Sequence, residues 1–175
     1  KRATDLGKRL GIESKMVEGR RITDAKSLEL VVMVYAGLVN KKIVAQLQAN
    51  NSNAIGLSGA DANTVIAVKR PVNKLDFGFV GVIVDVYAGS ISVILNAEFV
   101  PVFCALTHDT NGQLFNTNAD TIASEVAIAM SQAYDTTLYY CFEKKGVLRS
   151  VTDEDSVIQK INRENYQKLK QDKIV

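Results

Sequence analysis

The chain has 175 residues, 21 Lys and Arg against 19 Asp and Glu, and 47% hydrophobic content. Such a length holds one sizeable core but hardly two, and so apolar a composition with only two Pro excludes a disordered or linker-like chain. The +2 net charge is too small for a broad nucleic-acid footprint. It is also unevenly spread, with residues 1–26 at +4, residues 27–142 at −4 and residues 143–175 at +2, and an acidic middle argues further against a DNA or RNA groove. Phe77 to Val86, the most apolar stretch, is interrupted by Gly78, Gly81 and Asp85, well short of a membrane helix. Cys104, Cys141 and the single imidazole of His108 form neither a disulfide framework nor a zinc-ligand spacing, so a reducing cytoplasm is the expected location. The first residues, Lys-Arg-Ala-Thr-Asp-Leu-Gly, read as the middle of a longer chain and not as a signal peptide.

In chain order, residues 1–10 read as a helix stopped by Gly11. A short strand or turn follows through Ser14 to Glu18. Thr23 or Asp24 then caps a long helix, with Leu28, Val31, Val32, Tyr35, Leu38, Val39, Ile43 and Leu47 at spacings of three and four. The turn formers Asn50 to Asn53 end it, and Ala54 to Leu57 read as a buried strand. Thr64 to Val68 and Phe79 to Tyr87, rich in β-branched residues, predict an extended, hairpin-like excursion. Ile91 to Leu95 have helical spacing, and Phe99 to Leu106 form an apolar run expected to be a strand covered on both faces. A loop from Thr107 to Asn118 leads into a helix over residues 120–133, and Thr137 to Phe142 read as another strand. The lysine-rich segment from Glu154 onward predicts one or two surface helices. Strands alternating with helices imply a mainly parallel sheet with helices on both faces, whose ligands collect beyond the strand ends: after Leu57, after Leu106 or after Tyr140.

Two segments carry candidate chemistry. Asn116-Thr117-Asn118-Ala119-Asp120 puts two carboxamides two residues apart, on one side of an extended backbone. Asp120, opening the next helix, could cap it or orient a lysine facing a phosphate. The same residues also fit an ordinary Asn-rich turn. Gly19-Arg20-Arg21-Ile22-Thr23-Asp24 sets arginines just before the long helix, where a guanidinium could hold a carboxylate by two hydrogen bonds. A solvated basic turn is the alternative there. His108 has no neighbour that completes a nucleophilic arrangement, and no Walker-type or Gly-x-Gly-x-x-Gly loop occurs.

Taken in order, the blocks Gly19 to Asp24, Val39-Asn40-Lys41, Gly56 to Asp61, Gly78-Phe79-Val80-Gly81, Val100-Pro101-Val102 and Asn116 to Asp120 resemble the acetylglutamate kinases of the amino-acid kinase family. The resemblance implies a three-layer α/β/α sandwich with a mainly parallel open sheet, truncated at both ends. It implies one domain over residues 1–175, with 1–133 mostly binding the acylglutamate and 134–175 beginning the nucleotide-binding part. The implied reaction transfers a phosphoryl group from ATP, with Mg²⁺, to the side-chain carboxylate of an N-acyl-L-glutamate, acetyl or succinyl, in arginine biosynthesis. No tightly bound cofactor is expected, and a cytoplasmic homodimer is. By position Arg21 resembles the arginine that pairs with the substrate α-carboxylate, and Asn116 the asparagine that fixes the amino-acid part. Gly19 would permit close approach of substrate to backbone, Asn118 is a nearby polar contact, and Asp120 resembles the aspartate that organises catalytic lysines. Cys141, Phe142 and Gly146 stand where a nucleotide-binding stretch is expected. The Gly-rich loops and both phosphate-neutralising lysines of the pattern are not found between Lys1 and Val175, which leaves a catalytically silent binding module as the alternative.

Overall fold

In the computed structural model, residues 2–12, 15–17 and 20–174 are described. The chain divides into two compact units, Lys1–Leu138 and Tyr139–Val175.

The first unit begins with α1 (Arg2–Arg9), ended as expected at Gly11, whose φ of +69° costs glycine nothing. The short strands β1 (Met16–Val17) and β2 (Arg20–Arg21) pair antiparallel. Asp24 caps α2 (Ala25–Val32), accepting the Ser27 N–H at 2.8 Å. The predicted long helix then continues through a π-helical segment, Met33–Val39, into α3 (Asn40–Ala49). It stops at the Asn-rich turn, where Asn51 has φ +59°. Leu30, Val31 and Val34 of this helix form the main core with Ala3 and Leu106. Gly7 lets α1 approach, because a Cβ there would lie 2.9 Å from Leu30 Cδ2.

The strand β3 (Ala54–Leu57) pairs in parallel with β6 (Val100–Phe103). The predicted excursion is an antiparallel pair, β4 (Val65–Lys69) with β5 (Gly81–Val86). Helix α4 (Ala88–Asn96) connects β5 to β6. The second sheet is completed by β7 (Leu106–His108) and β8 (Leu114–Asn116), in the order β5-β4-β7-β8. Parallel pairing at β3–β6 and β4–β7 is thus combined with antiparallel hairpins at β4–β5 and β7–β8. Helix α5 (Ala119–Met130) closes the regular part of this unit.

Three expectations are corrected. The apolar run Phe99 to Leu106 is two strands of two sheets, not one. The Cys104 N–H donates to Leu57 O at 2.8 Å as the β3 pairing ends, and the Leu106 N–H turns back to Cys104 O at 2.8 Å. Its outer end is not covered on both faces either, Val100 being 44% exposed. The segment Thr107 to Asn118 is a β7–β8 hairpin and not a loop, because Asp109 Oδ1 accepts the Asn111 and Gln113 N–H groups and Gly112 supplies φ +85°. Thr137 to Phe142 form no strand, and the segment straddles the boundary between the two units. A short apolar run becomes a strand only where a ladder partner is at hand.

The second unit is largely irregular, with a bridge between Leu148 and Val157. Its helix α6 (Arg163–Gln171) starts with a reciprocal box in which Asn162 and Asn165 each bond the other's backbone N–H at 2.9 Å.

Candidate functional site

The first unit contains a cleft of about 680 Å³. Its walls come from β2, the π-helical segment, the start of β5, the break between β6 and β7, and the junction of β8 with α5. Arg21, Asn116 and Asn118, singled out from sequence, all face it.

Each is held from behind. The half-buried Arg21 donates from Nη2 to Thr4 Oγ1 at 2.9 Å, so α1 braces the guanidinium. Asn116 Nδ2 donates to the Thr23 hydroxyl at 3.0 Å, a contact across 93 positions, and Thr23 is fully buried. The backbone reinforces this corner: the Thr23 N–H donates to Phe77 O at 2.9 Å, the Phe79 N–H to Thr23 O at 2.7 Å and the Asn116 N–H to Phe79 O at 2.9 Å. Gly78 makes the crossing possible, since it has φ +71° and a Cβ there would strike the Thr23 carbonyl. Three segments remote in sequence therefore set Arg21 and Asn116 on one cleft.

Behind the cleft wall at Gly81, the hydroxyls of Thr107 and Thr117 meet at 2.7 Å in a buried pair. A Cβ on Gly81 would collide with Thr117 Oγ1 and lie 2.8 Å from Thr107 Oγ1. The absence of a side chain at Gly81 is thus what lets the buried threonine pair pack directly against this wall of the cleft.

The other predicted residues are distributed differently. Asn118, and not Asp120, caps α5: its Oδ1 accepts the Thr121 N–H at 2.9 Å. Asp120 sits exposed in the first turn and is not part of the cleft lining. Gly19 lies outside the described residues. Cys141, Phe142 and Gly146 belong to the second unit, where Cys141 and Phe142 are exposed and Gly146 faces Val157. The loop after Leu57, a predicted ligand site, closes on itself instead, with the Ser58 N–H and hydroxyl both donating to Asp61 Oδ2 at 2.6 and 2.7 Å.

Sequence reading missed several lining residues. Tyr35 and Val39 enter from the π-helical segment. Asn40, only 3% exposed, donates from Nδ2 to Val102 O at 2.7 Å and ties α3 to β6 beside the cleft. Arg70 and Glu125 add charge to the lining. Arg70 lies just past the predicted extended run that ends at Val68, a position that by itself does not mark it. Cys104 lines the cleft as well, and burial first of all pushes its thiol above the usual 9.0. It is held as a thiol, a poor nucleophile. His108 lies on a separate cavity of about 330 Å³, with Nε2 buried and without a partner among the described residues. Among the described residues, two guanidiniums against one carboxylate suit the main cleft to a small anion that carries further polar groups.

Comparison with known proteins agrees with this picture. Residues 1–174 match the Amino acid kinase family. The acetylglutamate kinase of Phocaeicola vulgatus is 57% identical over 167 residues, covering 95% of this chain and 65% of that protein. The acetylglutamate kinase of Bacteroides thetaiotaomicron is 54% identical over 173 residues, covering 99% and 67%. The chain thus spans about two thirds of the length of the curated relatives it matches. Among solved structures, smu.665 from Streptococcus mutans superimposes with a TM-score of 0.82 at 24% identity, covering 99% of this chain and 67% of that one. An N-acetylglutamate synthase from Neisseria gonorrhoeae gives 0.62 at 23% identity over 73% of this chain and 29% of that one. Both structures speak to fold alone, and the fold is the α/β/α sandwich that the sequence motifs implied. With nearly every residue inside the family match and more than half identical to its acetylglutamate kinases, the chain belongs to the amino acid kinase family.

Proposed function

We propose that the protein carrying this chain transfers the γ-phosphoryl group of ATP to the side-chain carboxylate of an N-acyl-L-glutamate, the acyl group being acetyl or succinyl, in arginine biosynthesis. The observation that carries this reading is the convergence of Arg21 and Asn116, on strands 93 or more positions apart, upon one cleft of a chain 57% identical to an acetylglutamate kinase. In this reading Arg21 takes the α-carboxylate by paired charge-assisted hydrogen bonds. Asn116, its Nδ2 held by Thr23, offers the rest of its amide to the amino-acid part. Gly19 lets the substrate lie against the backbone, and Asn118 adds a polar contact at the start of α5.

The nucleophilic carboxylate is ionised near neutral pH, so the reaction needs no general base. It needs two anions brought together and their charge neutralised. Asp120 would orient the lysines that do this, and no residue of 1–175 matches the motifs that carry them. Mg²⁺ enters with the ATP phosphates as part of the nucleotide substrate. The division between acylglutamate-binding and nucleotide-binding parts near residue 133, with Cys141, Phe142 and Gly146 on the nucleotide side, belongs to the same proposal, as do a cytoplasmic location and a homodimer. A second reading is a catalytically silent acylglutamate-binding module. Phosphoryl transfer by the full-length protein separates the two.

The test is calorimetric titration of N-acetyl-L-glutamate and N-succinyl-L-glutamate into the protein and its Arg21→Ala variant, with Thr4→Val as a control for the brace. Losing a charge-assisted pair of about 1.5–3 kcal/mol weakens binding roughly 10- to 150-fold. Equal affinity in Arg21→Ala would remove Arg21 from the substrate site.

A further inference from the structure

We infer that Arg70 is a second carboxylate-binding group of the cleft and selects substrates whose N-acyl group ends in its own carboxylate. The inference rests on the acylglutamate reading above and extends it to the class of acyl group.

Arg70 follows β4 directly and lines the same cleft as Arg21. Its backbone is fixed, because its N–H donates to Val80 O at 2.8 Å. Its guanidinium lies 4.9 Å from the centre of the Phe77 ring, a stacking contact that holds the planar head and leaves its N–H edge available. The neighbouring carboxylate is taken by another residue, since Lys69 pairs with Asp76 at 3.3 Å. Among the described residues no carboxylate pairs with Arg70, although Glu125 lines the same cleft. A half-buried cation on a ligand cleft without an anion of its own among the described residues is placed to receive one from the ligand.

Its position relative to Asn116 says which end of the ligand that is. Val80 accepts from Arg70 on one side and bridges Asn116 on the other. Two strand spacings, at most about 10 Å, separate the backbones of Arg70 and Asn116. With the amino-acid part held at Arg21 and Asn116, an acetyl methyl group offers Arg70 nothing to bind. A four-carbon diacid acyl group carries a carboxylate outward to a long arginine side chain.

The experiment measures binding of N-acetyl-L-glutamate, N-succinyl-L-glutamate and the neutral isostere N-succinamoyl-L-glutamate to the full-length protein, to Arg70→Gln and to Arg70→Lys. Thermal unfolding of each variant reports folding, and the KM for ATP is measured in parallel. The expected result is succinyl binding at least about tenfold tighter than acetyl or succinamoyl in the parent. Arg70→Gln abolishes that preference, Arg70→Lys retains part of it, and acetyl affinity stays within about twofold. Acylglutamate binding without a succinyl preference overturns the inference alone. So does an Arg70→Gln effect equal on all three ligands, or one confined to the KM for ATP. Failure of the parent to bind any of the three overturns the acylglutamate reading and this inference with it.

Discussion

Replacing Gly81 with Ala tests how tightly the cleft wall is built. The new methyl group would overlap Thr117 Oγ1, lie 2.8 Å from Thr107 Oγ1 and 2.9 Å from Phe115 Cβ. Phe115 is 2% exposed and the two threonines 4% or less, so none of the three can swing into solvent. Forcing a methyl group into a filled interior costs about 1–3 kcal/mol. Parting the Thr107 and Thr117 hydroxyls, now 2.7 Å apart, strands two buried polar groups for about 1–3 kcal/mol more. Together these give roughly 2–6 kcal/mol, or about 4–24 °C in Tm for a chain of this size. Differential scanning calorimetry and urea titration measure it directly. Because the clash is with a particular hydroxyl, Thr117→Ala combined with Gly81→Ala should cost at least about 0.5 kcal/mol less than the sum of the two changes. A Tm within about 2 °C of the parent, or strict additivity of the pair, would refute the packing described.

Two further outcomes follow from the electrostatics. The Asp24 carboxyl is held below its usual 3.8, chiefly by the Ser27 backbone N–H, and Asp76 and Asp109 are likewise lowered, chiefly by the N–H groups of Gly78 and Gln113. Their stabilisation is therefore complete above about pH 4 and fades as pH falls through the lowered folded values. Urea midpoints between pH 6 and 2 should drop less steeply in Asp24→Asn, which keeps a cap without the charge, while Asp24→Ala loses about 1 kcal/mol at pH 7. Equal acid slopes in parent and Asp24→Asn would contradict this. The two thiols should also react unequally: exposed Cys141 is alkylated by iodoacetamide at pH 8 well before Cys104, whose pKa is raised by burial. Peptide mass spectrometry resolves the two, and equal rates would show that Cys104 is more open than its surroundings indicate.

Local rules carried most of the secondary structure. A glycine after α1, an Asp before α2 and four turn formers after α3 each act within a few residues, so their consequences can be read in order along the chain. Non-local pairing was less accessible. The run Phe99 to Leu106 is uniformly apolar, and nothing in its pattern marks Cys104 as the point where one ladder ends and another begins. Thr137 to Phe142 have strand composition, and only a neighbouring strand could have used it. At the cleft, Arg21, Asn116 and Asn118 were found through motifs. The division of labour between Asn118 and Asp120 was not, because two cap-forming side chains two residues apart both satisfy the local rule. Arg70 escaped because one arginine after a strand is unremarkable until the fold sets it beside Val80 and the cleft.

The π-helical segment Met33–Val39 has a consequence for how this helix tolerates changes in length. Hydrogen bonds that skip five residues instead of four widen a turn, so side chains beyond the segment are out of phase with those before it by about one residue, roughly 100° around the axis. Removing a single residue, such as exposed Gly37, would restore an unbroken α-helix and leave the α2 contacts to the core in place. It would also rotate all of α3, carrying Asn40 away from Val102 and its position beside the cleft. The bulge thus works as a phase shifter, allowing one helix to present a core face in its first half and a ligand-facing residue in its second.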